Sequence, residues 1–307
     1  MRKPKIGIAL GGGAARGWAH IGVLKALAEA GIAPDVVAGT SIGAVAGGCY
    51  AAGKLDQLEE FALSLNRRKI FGFLDFNFGG SGLISGRRLC GELDSHLKEC
   101  MIPDLNRRFV AVATELGTGH EIWLSKGRLV PAMHASYALP GIFRPVHLNG
   151  RWLIDGAFVN PVPVSVCRAL GANIVIAVNL NSDTFVRGSV IPDQEALEED
   201  LLPDAMEASP GGNGQAARRL LQRQFFGGGG SHAPGISSVM MDAFNIVQDR
   251  IARSRMAGDP PDFVISPKVG KVRLFDFHCA HESIPAGYEA AKRELADIQR
   301  TLDTIAA

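Results

Sequence analysis

Apolar positions in this chain come in short runs rich in β-branched residues, and between the runs the spacing turns helical. Strands are predicted at residues 5–10 (KIGIAL), 35–39, 109–116, 121–125, 151–155, 173–180 and 262–267. Several are apolar at nearly every position, as expected where both faces of a parallel sheet are covered. The segment AHIGVLKALAEAG (19–31) places apolar residues at helical intervals and stops at Gly31. A second helix is predicted over SIGAVAGGCYAAG (41–53), and a third over NPVPVSVCRALGA (160–172), with Pro161 near its first turn. A polar helix over roughly 285–306 closes the chain and is expected to pack on the outside. Strand and helix in alternation imply an α/β sandwich.

From Val36 to Gly53 the chain carries no charge for eighteen residues, the lower bound for a membrane span. Gly39, Gly43 and Gly47 even fall at small-xxx-small spacing. Five of those residues are glycine, however, and few large aliphatic side chains follow Val45, so hydrocarbon offers the segment little. It reads as a strand, a turn and a buried helix.

Composition narrows the class. Hydrophobic residues at 47% and charged residues at 21% are those of an ordinary globular protein. Lys+Arg 32 against Asp+Glu 31 leaves +1, so no global field favours nucleic acid, and no nucleic-acid-binding motif is present. Five scattered cysteines without a C-x-x-C pair suit reduced thiols better than a disulfide frame or a metal site. The apolar stretch after MRKPK is too short for a signal peptide, so a cytoplasmic location is expected.

Residues 1–307 are expected to form a single domain with a flexible insertion or lid at about 183–235. Asp183 to Pro210 holds eight acidic residues and one basic, and a glycine-flanked basic amphipathic piece follows. Within it Arg218, Arg219 and Arg223 adjoin Leu220, Leu221, Phe225 and Phe226, a composition suited to anionic lipid.

Two chemistries want glycines between a first strand and a first helix, as in GGGAARG (11–17). A dinucleotide site uses them to bring backbone amides to a pyrophosphate, but it also wants an acidic residue at the end of strand two. Here that end is Gly39-Thr40-Ser41. The alternative is an oxyanion hole, in which glycines let N–H groups point at developing negative charge. Arg16 is placed to neutralise charge nearby or to pin the loop.

Gly39-Thr40-Ser41-Ile42-Gly43 matches G-x-S-x-G, the nucleophile elbow, with a strand before it and a small-residue helix after it. A serine alcohol needs a base. None of the seven histidines after Ser41 stands in a distinctive setting, whereas Asp155-Gly156 ends a strand beside space cleared by glycine. Phe71, Phe73, Phe76 and Phe78 are a candidate apolar wall of a site or a membrane-contacting cap, or ordinary core.

Together these pieces resemble the patatin-like phospholipase family, specifically its bacterial members. GGGAARG is similar to the family's oxyanion motif, GTSIG (39–43) to its elbow and DGA (155–157) to its aspartate motif. ASYALPGIFRPV (135–146) and SGLISGRRL (81–89) resemble two further segments. The resemblance implies a three-layer α/β/α fold with a mostly parallel sheet, and metal-independent hydrolysis of phospholipid or lysophospholipid acyl esters. No cofactor is expected, and the aromatic run and the basic amphipathic piece suit peripheral contact with a membrane surface. It implies Ser41 as nucleophile and Asp155 as base, without a catalytic histidine. It also implies an oxyanion hole at Gly11, Gly12 and Gly13 supported by Arg16. Two other readings stay open: a non-catalytic interaction protein that keeps the fold, and an acyltransferase.

Overall fold

The computed structural model describes residues 4–73, 82–84, 91, 95, 97, 99–183 and 236–306 of the chain. Two units divide it, Met1–Thr184 with Val247–Ala307, and Phe185–Ile246. The SGLISGRRL segment lies mostly outside the described residues. So do Phe76 and Phe78 and nearly all of the expected insertion, residues 184–235.

The first unit is built on strands β1 (Ile6–Leu10), β2 (Val36–Thr40), β4 (Arg108–Glu115), β5 (Glu121–Leu124), β7 (Val146–Leu148), β8 (Arg151–Asp155), β9 (Ile174–Val178) and β10 (Phe263–Ile265). They form one sheet in the order β10-β9-β1-β2-β4-β8-β7, with β5 also paired to β4. A separate small pair joins β3 (Gly82–Ile84) to β6 (Gly141–Phe143). From β10 to β4 every pairing is parallel, while β5, β7 and β8 run antiparallel to their neighbours.

The chain alternates at β1 so that Ile6, Ile8 and Leu10 face one layer and Ala9 the other. The first layer holds α1 (Ala19–Glu29), α2 (Ile42–Ala51), α3 (Leu55–Ser64), α5 (Leu129–Ser136) and α8 (Ala280–Ala306), whose apolar residues share one core. A fourth helix, α4 (Arg67–Phe73), contributes Ile70 to that core. The second layer holds α6 (Val164–Ala169) and, from α7 (Ile236–Gly258), Ala252. The sheet is thus sandwiched, α/β/α.

Two helices differ from expectation. The segment expected to be helical from residue 160 becomes so only at Val164, after Pro163. A residue preceding proline is held out of the helical region, so Pro161 and Pro163 postpone the start. The last helix begins at Ala280 and carries Pro285 inside it; the N–H that proline lacks lies within two turns of the start.

One pairing positions the site. Along a single edge of β4, β2 ends with Thr40 opposite Val112, and β8 ends at the adjacent position, Asp155 opposite Ala113. Since β5 covers Ala111–Thr114 from the other edge, β2 and β8 lie end to end.

Candidate active site

Ser41 stands between β2 and α2 with φ 57° and ψ −125°, one of three non-glycine residues with positive φ among those described. Such backbone strain persists only where surrounding structure enforces it. The enforcement comes from close approach on both sides. A Cβ on Gly39 would run into Gly43 and Ala44, and one on Gly43 would overlap the carbonyls of Leu10 and Gly11. The elbow glycines therefore let the turn press against β1 and against itself. The Thr40 hydroxyl donates to the Asn160 carbonyl at 2.7 Å, and the Ser41 N–H donates to Ser136 Oγ at 2.9 Å.

The turn points the Ser41 hydroxyl at Asp155. Oγ donates to Oδ2 at 2.7 Å, and Oδ1 accepts from the Ala157 N–H at 2.9 Å. The backbone of Asp155 is tied as well: its N–H donates to the Ala138 carbonyl, and its carbonyl accepts from Thr114 Oγ1 at 2.8 Å. Asp155 is only 2% exposed. Burial raises its carboxyl from the ordinary 3.8 to about 7, although the bonds from Ala157 and Ser41 pull the other way. A carboxyl of that pKa gains basicity while remaining substantially ionised near neutrality.

No histidine among the described residues bonds to either member of this pair. His20 is fully buried at the glycine loop, where burial lowers it to about 4. A neutral ring facing the Gly11 carbonyl at 2.8 Å must donate from Nε2. His134, lowered to about 4 by burial, lies tilted against the Tyr137 ring.

The amides of the glycine loop have different partners. The Gly11 N–H donates to the Val178 carbonyl at 3.1 Å and the Gly12 N–H to the Pro161 carbonyl at 2.9 Å. Both amides anchor the loop, to β9 and to the segment after β8. The amides of Gly13 and Ala14 make no hydrogen bond to any described residue, and Ala14 holds a strained φ of 47°. Arg16 pins the loop. Only 4% exposed, it donates from Nε to the Val272 carbonyl at 2.9 Å and from Nη1 to Asn181 Oδ1 at 2.8 Å. Asn181 in turn donates to Gln248 Oε1 at 3.4 Å, and Gln248 lies beside Gly12.

Ser41 and Asp155 open into a cavity of about 130 Å³. Its remaining described lining is apolar, including Trp18, Val45, Leu58, Ile142 and Phe143. An apolar cavity of about 150 Å³ holds a benzene-sized guest, so this one is of a size for a short hydrocarbon segment. Among the described residues no cluster of three or more His, Cys, Asp or Glu is arranged to hold a metal ion, and no helix is long and apolar enough to cross a membrane.

Ser136, Thr114, Asn181 and Gln248 escaped the sequence reading. Ser136 lies in the segment ASYALPGIFRPV (135–146), yet nothing local links it to a backbone amide 95 residues away. The other three bear on the site only through long-range contacts.

Comparison with known proteins gives a consistent picture. A family model for patatin-like phospholipases matches residues 8–168. An uncharacterized NTE family protein of Mycobacterium tuberculosis is 32% identical over 331 aligned residues, covering 95% of this chain and 91% of the relative. A patatin-like phospholipase domain-containing protein of Caenorhabditis elegans is 37% identical over 186 residues, 58% of this chain and 14% of that much longer relative. Among solved structures, VipD from Legionella pneumophila superposes with a TM-score of 0.50 at 13% identity, covering 96% of this chain and 67% of VipD, a likeness of fold alone.

Proposed function

The chain belongs to the patatin-like phospholipase family, and from that premise we propose that it is a serine hydrolase that cleaves acyl esters of phospholipids or lysophospholipids through the Ser41–Asp155 pair. Membership carries lipid acyl hydrolysis at the level of the family. The finer reading is carried by one observation, the 2.7 Å hydrogen bond from the Ser41 hydroxyl to a buried carboxylate in the lining of an apolar cavity.

In this mechanism ionised Asp155 takes the Ser41 proton as Oγ bonds to the ester carbonyl carbon. The carbonyl π pair moves to oxygen, and the N–H groups of Gly13 and Ala14 receive that oxyanion, with Arg16 holding the loop in place. Collapse expels the alcohol, which takes the proton from Asp155, and leaves an acyl-Ser41 ester. Asp155 then removes a proton from water as it attacks the acyl carbon. The second collapse releases the fatty acid and returns the proton to Oγ. The acyl chain occupies the apolar cavity throughout, and the head group stays outside. Contact with the lipid surface is peripheral.

The test is direct. Purified protein is incubated with vesicles of mixed phospholipids and lysophospholipids while released fatty acid is measured, alongside labelling by a fluorophosphonate probe. Fatty acid release and labelling, both lost in Ser41→Ala, support the reading. Absence of both in the wild type would mark a relic of the fold.

A further inference from the structure

Ser136, the last residue of α5, is completely buried, and its hydroxyl has two partners. It accepts from the Ser41 N–H at 2.9 Å and donates to the Val112 carbonyl at 2.6 Å. We infer that Ser136 is a positioning residue for acyl transfer, holding the backbone of the nucleophile in its left-handed turn from the strand that also seats the base. The inference rests on the hydrolase reading above.

The reason lies at the seam between β2 and β8. The regular pairing of β2 with β4 ends at Thr40 opposite Val112, and Ser41 then leaves the sheet with φ 57°. Its N–H points away from the ladder into closed protein, where an amide without a partner is costly. The Val112 carbonyl sits at the same seam, so close to Gly156 that a Cβ there would overlap it. The Ser136 hydroxyl joins these two groups because a hydroxyl both accepts and donates. Alanine at 136 leaves the Ser41 amide orphaned. Its simplest relief is rotation of the Thr40–Ser41 peptide, and that rotation swings Oγ away from Asp155 Oδ2.

Ser136 acts only through Ser41, so it differs from the reacting groups and also from an ordinary core serine. A core serine, when replaced, lowers stability and leaves the turnover of folded molecules unchanged. A positioning serine lowers turnover in molecules that are folded.

The experiment measures kcat and KM for p-nitrophenyl butyrate, the rate of fluorophosphonate labelling and the melting temperature. It compares wild type, Ser41→Ala, Ser136→Ala, Ser136→Cys and Ser136→Thr. In Ser136→Ala and Ser136→Cys, kcat per folded molecule should fall on the order of 10²-fold, with KM within about twofold, as for a small misplacement of a reacting group. The labelling rate should fall by the same factor. Thiol sulfur fills the space of the hydroxyl but accepts poorly, so Cys separates packing from hydrogen bonding and decides the matter if Ala does not fold. Ser136→Thr keeps the hydroxyl, and its kcat should recover to within a few-fold of wild type even with a lower melting temperature. A folded Ala or Cys variant with wild-type kcat overturns the inference while leaving the hydrolase reading intact. An inert wild type overturns both.

Discussion

Asp155 follows Thr40 along one edge of β4, opposite Ala113 where Thr40 is opposite Val112. β2 runs parallel to β4 and β8 antiparallel, so the carboxyl ends of the two strands meet head on. Ser41 and Asp155 both leave the sheet at that seam, which brings an alcohol and a carboxylate together across 114 positions of chain. Ligand sites of α/β sheets lie outside the carboxyl ends of strands, and here two such ends coincide.

Removing either group should abolish hydrolysis. Ser41→Ala and Asp155→Asn are expected to lower initial rates on a p-nitrophenyl ester on the order of 10⁴-fold, while circular dichroism stays that of wild type. A variant keeping a tenth of the rate shows that another group does that work.

The rate should follow ionisation of Asp155. With its carboxyl raised to about 7, the basic form is lost as pH falls through that value. Profiles of kcat/KM between pH 5 and 9 should rise with unit slope on the acid side, reach half-maximum near 7 and level off above it. A flat profile across this range, its acid limb lying below about pH 5, shows that burial does not raise the base's carboxyl as far as 7.

The same burial destabilises the native state at neutral pH. The folded carboxyl, at about 7, binds its proton more tightly than the unfolded one at 3.8, so stability falls as pH rises between these values. Asp155→Asn lacks this loss. Its stability relative to wild type should grow by a few kcal/mol from pH 4 to 7 and stay flat above, in urea melts at each pH. His20 and His134, lowered to about 4 by burial, act in the opposite sense between about pH 4 and 6.5, and are present in both proteins, so they cancel in the difference.

Gly43→Ala should fail to accumulate as folded protein. The new methyl would overlap two backbone carbonyls, of Leu10 and Gly11, and backbone inside a sheet cannot retreat as a side chain can. The expected cost exceeds about 4 kcal/mol. A soluble variant melting at the wild-type temperature contradicts this packing of the elbow.

Arg16→Lys keeps the charge but cannot reach both the Val272 carbonyl and Asn181 Oδ1, which Arg16 binds from different nitrogens of one planar group. Leaving a buried acceptor unpaired costs about 1–3 kcal/mol. Melting temperature and kcat should fall together, with KM little changed, because the loop that carries the Gly13 and Ala14 amides loses its anchor.

By itself the sequence determined the strand–turn–helix unit around Ser41, the strands that carry the sheet and the candidacy of Asp155. Each depends on local properties: continuous apolar runs, glycines at fixed offsets and an aspartate at a strand end. The three-residue strands β6 and β7 flank Arg144 and Pro145 and are too short to show a period, so they emerged only in the folded chain. Tertiary structure alone decided the partners of the glycine loop's amides: Val178 and Pro161 take those of Gly11 and Gly12 from 167 and 149 residues away. It also decided that Ser136 meets the Ser41 amide. Hydrogen-bond partners of that kind are chosen by register and layer packing, which join distant segments and leave no pattern along the chain.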